Sequence, residues 1–319
     1  MRISRRNILR HVLDIFAFTH DIRPGLFWRV LIYLFLFLIV LGLTQSARLS
    51  LLERSLSWPE TTAGAFYLFA GSAGMLAVTA LSRRFLDRRP WQGIALPAIW
   101  KGGSHILLGW LAGCGLIAIL FVIEYMLGWI RIEGNEVAAS GWGVALDWIV
   151  SGILLKFTIG FTEEIAFRGY IFQNMAEKFP LWLALILTGI LFAIVHGNQG
   201  SGYFVSVLLI SAFLSMTRLG TRSLWFAIAF HGGWDWMQSE VLGIMNVNKP
   251  NYGHALLHVS QHGPGLFAGR APAIEGGLLA LLLAAFAFVC AWSYAKRRQP
   301  AINWHIYLAD TGELLTGES

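Results

Sequence analysis

Residues 160–168 read Gly160-Phe161-Thr162-Glu163-Glu164-Ile165-Ala166-Phe167-Arg168, three ionisable side chains set into a predominantly apolar run over 142–172. A hydrocarbon core of roughly 30 Å needs about 20 apolar helical residues, so this run is long enough to cross it. A charge at the centre of such a helix costs about 2.5–3.5 kcal/mol on insertion scales and is rarely kept without a use. The stretch therefore predicts a membrane helix that carries chemistry.

The rest of the chain agrees. Of 319 residues, 56% are hydrophobic and 13% charged, about half the roughly 25% charged content of soluble domains. The mean hydropathy is +0.60. A soluble protein of this composition would lack polar surface to cover itself. Those numbers exclude an ordinary cytosolic enzyme, a disordered chain and a nucleic-acid-binding module. The net charge of +6 comes from Lys and Arg clustered beside apolar stretches, a topology signal rather than a nucleic-acid groove. Cys114 and Cys290 both lie in apolar runs, which leaves no disulfide framework or Cys-based zinc site.

An all-α, polytopic bundle of about eight transmembrane helices is expected, with spans near 26–43, 61–81, 104–130, 142–172, 181–197, 203–217, 223–238 and 276–295. With both termini cytoplasmic, the outside segments hold only Arg48, Arg54, Arg131, Lys249 and Arg270, and the remaining Lys and Arg of the connecting segments fall inside. Arg5-Arg6 superficially matches a twin-arginine signal, but the apolar run begins only near Leu26, too late for such a leader. The expected organisation is a cytoplasmic segment 1–25, three helices over 26–140, a four-helix catalytic core over 141–238, an extracytoplasmic loop over 239–275, and a last helix with its tail over 276–319.

Two further polar points interrupt the apolar spans: Phe192-Ala193-Ile194-Val195-His196, and His231-Gly232-Gly233-Trp234-Asp235. Glu164 and Arg168 are i and i+4, stacked on one face as a carboxylate–guanidinium clamp. Glu163 points about 100° away from that clamp. His231 and Asp235 are again i and i+4, which suits an Asp orienting an imidazole or two groups converging on one ligand. Counted from the nearest inside turns, Glu163, His196 and His231 lie about 20, 24 and 14 Å deep at 1.5 Å per residue. Three helices thus present a Glu, a His and a His–Asp pair to one polar cavity, the makings of a hydrolytic site. Lys156 is assigned no role, and His105 reads as a packing residue. His254, His258 and His262 recur every four residues, yet the Gly and Pro around them predict an irregular loop rather than a metal-binding helix.

These segments resemble the CPBP family of intramembrane proteases, which includes the type II CAAX prenyl endopeptidases and bacteriocin-processing and immunity proteins. Its Glu-Glu-x-x-x-Arg motif is matched by Glu163, Glu164 and Arg168, its Phe-x-x-x-His motif by Phe192 and His196, and its His-x-x-x-Asn motif at His231 with Asp235 in place of Asn. The resemblance implies peptide-bond hydrolysis within the membrane, with Glu163 and His196 activating water and His231 as an oxyanion donor. Asp235 departs from the pattern: an ionised Asp donates no hydrogen bond and repels a developing oxyanion. It instead orients His231, or joins Glu163, His196 and His231 as ligands of a zinc ion. The cofactor thus stays open between none and zinc. The first three spans, the outer loop and the tail lie outside what the resemblance explains.

The expected function is an intramembrane endopeptidase acting on a membrane-embedded or lipid-anchored peptide, a prenylated CAAX-type tail being one form of it. The alternatives are a catalytically idle scaffold or immunity protein of the same fold, and an ion-coupled transporter, which would show an inverted repeat that this chain lacks. The expected partners are the bilayer and the substrate, with no nucleic acid. The expected location is a bacterial cytoplasmic membrane.

Overall fold

The computed structural model describes residues 15–17, 23–54, 60–197, 200–246, 255–270 and 274–299. The twin-arginine-like run, Lys249, His254 and the tail beyond 300 lie outside the described residues. Among the described residues the regular structure is helical except for one two-stranded sheet. In order, the elements are α1 (Leu26–Arg54), α2 (Glu60–Leu81), α3 (Gly103–Met126), β1 (Ile130–Asn135), α4 (Trp142–Glu164), α5 (Phe172–Lys178), α6 (Leu181–Val195), α7 (Ser201–Thr221), α8 (Trp225–Trp236), β2 (Leu257–Gln261) and α9 (Leu278–Arg298).

Each expected span coincides with helix, but among the described residues five are long and apolar enough to cross a membrane: 26–44, 103–126, 142–178, 201–221 and 278–298. At 1.5 Å per residue, α8 with its 12 residues is about 18 Å long and α6 with its 15 about 22 Å, both short of the core thickness. Large apolar side chains face outward along these helices, including Phe35, Leu38, Leu111, Val150 and Leu282. A soluble protein seldom exposes so continuous an apolar surface. This is an integral, multi-pass membrane protein.

Two expectations need correcting. The third span stops at Met126 rather than 130, because Gly128 takes a left-handed φ of 71°, open to glycine without steric cost. The chain then enters β1. The outer loop is not irregular throughout, because β2 pairs antiparallel with β1, Ile132 opposite Val259, with a bulge between Ile132 and Gly134.

The described residues divide into two compact units: those up to Leu96 with Thr162–Ala184, and Pro97–Phe161 with those from Leu185 onward.

In the first unit, Asp87 is fully buried at the end of a π-helical turn, Ser82–Asp87. It accepts hydrogen bonds from Arg29 Nη1 (3.3 Å), Arg83 Nη1 (2.9 Å), Tyr170 Oη (2.9 Å) and Asn174 Nδ2 (3.2 Å). Tyr170 also stacks on Tyr33, with ring centroids 3.9 Å apart. Arg29 and Arg83 read in the sequence as boundary charges, yet both are buried and paired with Asp87. A buried charge is tolerated when it is paired and hydrogen-bonded, and here one carboxylate ties α1, the π-turn and α5 together.

In the second unit, α8 lies between α3 and α4, brought close by glycines. Gly109 and Gly113 of α3 abut the backbone of Phe226, Phe230 and Trp234, and Gly233 of α8 abuts Trp110. On the other side, Gly160 of α4 lies against Ile228, His231 and Gly232. Small residues allow helix backbones to approach in lipid, where no hydrophobic driving force joins them. A Cβ on Gly232 would fall 2.8 Å from Phe157 Cα and 3.0 Å from Lys156 O. Overpacking of this kind costs about 1–3 kcal/mol. Gly232→Ala is expected to lower the thermal midpoint by several degrees and turnover at least tenfold, since it displaces the helix bearing His231; unchanged values in both assays would show that α8 has room to move. Elsewhere in this unit, Ala280, Ala284, Ala287, Ala291 and Ala295 are buried along one side of α9. The sheet and the end of the outer loop close over an apolar cluster that includes Ile117, Leu120, Ile130, Val259 and Ile274.

Candidate active site

His196 follows the last turn of α6. Its backbone N–H reaches Phe192 O at 3.2 Å, and its ring Nδ1 lies 2.8 Å from the same oxygen. A carbonyl can only accept, so the contact holds the proton on Nδ1 and makes Nε2 the acceptor of the neutral ring. That second bond is what orients an imidazole used as a base or as a metal ligand. The Phe192 ring packs on both histidines of the motifs, its centroid 4.2 Å from that of His196 and 6.1 Å, edge-on, from that of His231.

His231 and Asp235 sit one turn apart on α8 as expected, with His231 Nε2 3.8 Å from Asp235 Oδ2. That is an electrostatic contact, longer than a hydrogen bond. Both line a cavity of about 80 Å³ together with His196, Tyr203, Ser206 and Glu275. One water needs about 10–15 Å³ of such volume, so several fit between the imidazoles.

In the first unit, Glu163 and Glu164 end α4, and the helix continues as a π-helical segment, Ile165–Ile171. Arg168 Nη1 donates to Glu164 Oε1 at 2.6 Å, both side chains fully buried, so the clamp forms as the spacing predicts. Widened π-turns recur at functional sites. Lys156 pairs with Glu240 at 3.9 Å. The two described outer-loop histidines form no helical face: His258 lies on β2, its Nε2 3.1 Å from Glu136 Oε2, and His262 bonds Ser260.

Glu275 escaped the sequence reading. It stands in the turn Ile274–Gly276, three residues before α9, and so reads as the end of a polar loop. The fold brings it to the cavity, where Gln238 Nε2 (2.6 Å) and Trp234 Nε1 (3.4 Å) donate to its Oε1. Its only advance signal is an acidic residue directly before Gly276-Gly277 and an apolar helix. Burial is the main cause of a raised pKa at Glu275, with the negative Asp235 adding to it against the lowering by its hydrogen bonds. A carboxyl group whose pKa is raised on folding stabilises most below its unfolded pKa, and that contribution is lost as pH rises through the folded value. Gln keeps the acceptor and removes the titration. The thermal midpoint of Glu275→Gln relative to the parent is therefore expected to climb between pH 5 and pH 8; a pH-independent difference in parallel melting curves would contradict the buried-carboxyl account.

Residues 145–237 match the family model described as Type II CAAX prenyl endopeptidase Rce1-like. The matched segment contains all three motifs and bears out the resemblance that they carry. It supports a protease of the CAAX endopeptidase type. No curated protein and no solved structure matches the chain.

Proposed function

We propose that this protein is an intramembrane endopeptidase in which Glu163 and His196 activate a water molecule and His231 steadies the oxyanion formed at the scissile carbonyl. The observation that carries the reading is the His196 ring, tied through Nδ1 to Phe192 O beside a cavity of about 80 Å³ shared with His231. Glu163 enters this reading as the first carboxylate of the Glu-Glu-x-x-x-Arg motif. In this role Glu163 takes a proton from water as the hydroxyl attacks, then returns it to the leaving amine. Such proton transfer is worth about 10²–10⁴-fold in rate.

Glu163, His196, His231 and Asp235 also offer the oxygen and nitrogen donors of a catalytic zinc site. The Nδ1 bond of His196 fits that use as well. A zinc ion would supply a bound water with a pKa near 7.

Incubation of the purified protein in bilayers with prenylated and unprenylated membrane peptides, followed by mass spectrometry of the products, tests the activity and its substrate class. A parent protein that cuts none of them would favour the idle scaffold. Asp235→Asn separates the two versions of the site. Without a metal, the amide adds a donor and removes a repelling charge, so turnover is expected to be retained or raised and chelators to have no effect. A hundredfold loss, with zinc bound by the parent and none by the variant, would replace this version with the metal one.

A further inference from the structure

The arginines between α2 and α3 read in the sequence as topology charges, and the hydrolytic site makes no use of them. The structure gathers them around a cavity of about 620 Å³ lined by Arg83, Arg84, Arg88 and Arg89 together with Phe85 and Trp91. That volume lies within the range of ligand pockets, about 300–1,000 Å³. The backbone makes the gathering possible. Arg88 takes a left-handed φ of 50°, and the N–H groups of Arg88 and Arg89 both return to Arg83 O. The reversal sets the two arginines after the π-turn beside the two within it.

No carboxylate lines the cavity. Asp87, the acidic residue of the same turn, is fully buried and occupied by Arg29, Arg83, Tyr170 and Asn174. Arg83 is held by Asp87 and by Pro90 O, to which its Nε and Nη2 donate at 3.3 and 3.0 Å, so it forms a fixed wall. Arg84 is exposed and Arg89 half-buried. Guanidinium groups match the geometry of phosphate oxygens. The cavity also opens where an apolar helix ends, with Phe85 66% exposed and Trp91 beside it. Aromatic rings at such a boundary sit at headgroup level.

We infer that this cavity is a binding site for the phosphate headgroup of an anionic phospholipid, with Arg84 and Arg89 as its principal ligands and Phe85 against the acyl chains. A free phosphate ion matches the guanidinium groups but has no use for the apolar wall; a lipid matches both. Basic pockets at the ends of membrane helices take anionic headgroups on these terms.

Native mass spectrometry of the full-length protein, released from detergent with phosphatidylglycerol or phosphatidylcholine, tests this. The parent is expected to retain one phosphatidylglycerol at a tenfold or more lower lipid concentration than phosphatidylcholine. Arg84→Gln/Arg89→Gln should abolish that preference, Arg84→Lys/Arg89→Lys should keep most of it, and Lys296→Gln/Arg297→Gln, at the end of α9, should leave it intact. The inference is overturned if the parent retains both lipids equally, or if the double Gln variant keeps the preference. Loss of the preference in the α9 variant would place the lipid elsewhere. Displacement of the lipid by millimolar inorganic phosphate would make this a free-anion site and overturn the lipid assignment.

Discussion

Glu163→Gln is expected to lower peptide hydrolysis by about 10³-fold, within the range that a general base supplies, and to leave the thermal midpoint within a few degrees of the parent. The amide keeps the volume and an acceptor oxygen of the carboxylate but cannot take the proton of water. The residue ends α4, where the α-helical ladder passes into the π-segment Ile165–Ile171, while the neighbouring Glu164 already holds Arg168 at 2.6 Å. Arg168 thus keeps its hydrogen-bonded carboxylate, Glu164, in the Glu163→Gln variant. Turnover is measured on the peptide that the parent cleaves fastest, and folding by thermal unfolding in detergent. Parent-like turnover in the variant removes Glu163 as the base. A collapse of the thermal midpoint with the activity would instead make it a structural residue.

Asp87→Ala is expected to cost about 3–5 kcal/mol, because it leaves buried cations without their carboxylate. Arg29 is fully buried, and its remaining acidic contact is Glu177 at 3.5 Å. Arg83, Tyr170 and Asn174 lose the same acceptor. Asp87→Asn should fall between the two, since the amide oxygen still accepts while its nitrogen faces donors. The check is the midpoint of unfolding for the three proteins at one pH; a midpoint for Asp87→Ala equal to that of the parent would mean that the arginines find other partners and that the carboxylate is dispensable. Expression at a level too low to measure for Asp87→Ala, with Asp87→Asn recoverable but weakened, would agree with the expected order.

The sequence alone determined the class of molecule and the motif residues. Hydropathy located the helices, because a helix in lipid satisfies its backbone internally and must present apolar side chains over its own length. Spacing located the Glu164–Arg168 clamp and the His231–Asp235 alignment, because positions four apart on a helix are neighbours whatever surrounds them. Both rest on local geometry. Tertiary packing decided what local geometry does not contain. Glu275 reaches the cavity only because the end of the outer loop folds back to Trp234 and Gln238. Arg29 and Arg83 look like boundary charges until α1, the turn after α2 and α5 close around Asp87. The pairing of β1 with β2 joins segments about 125 residues apart, and neither strand shows enough alternation to announce it. The physical reason is the same in each case: helical periodicity extends a few residues along the chain, whereas the burial of a charge or the pairing of a strand depends on which distant segment arrives beside it.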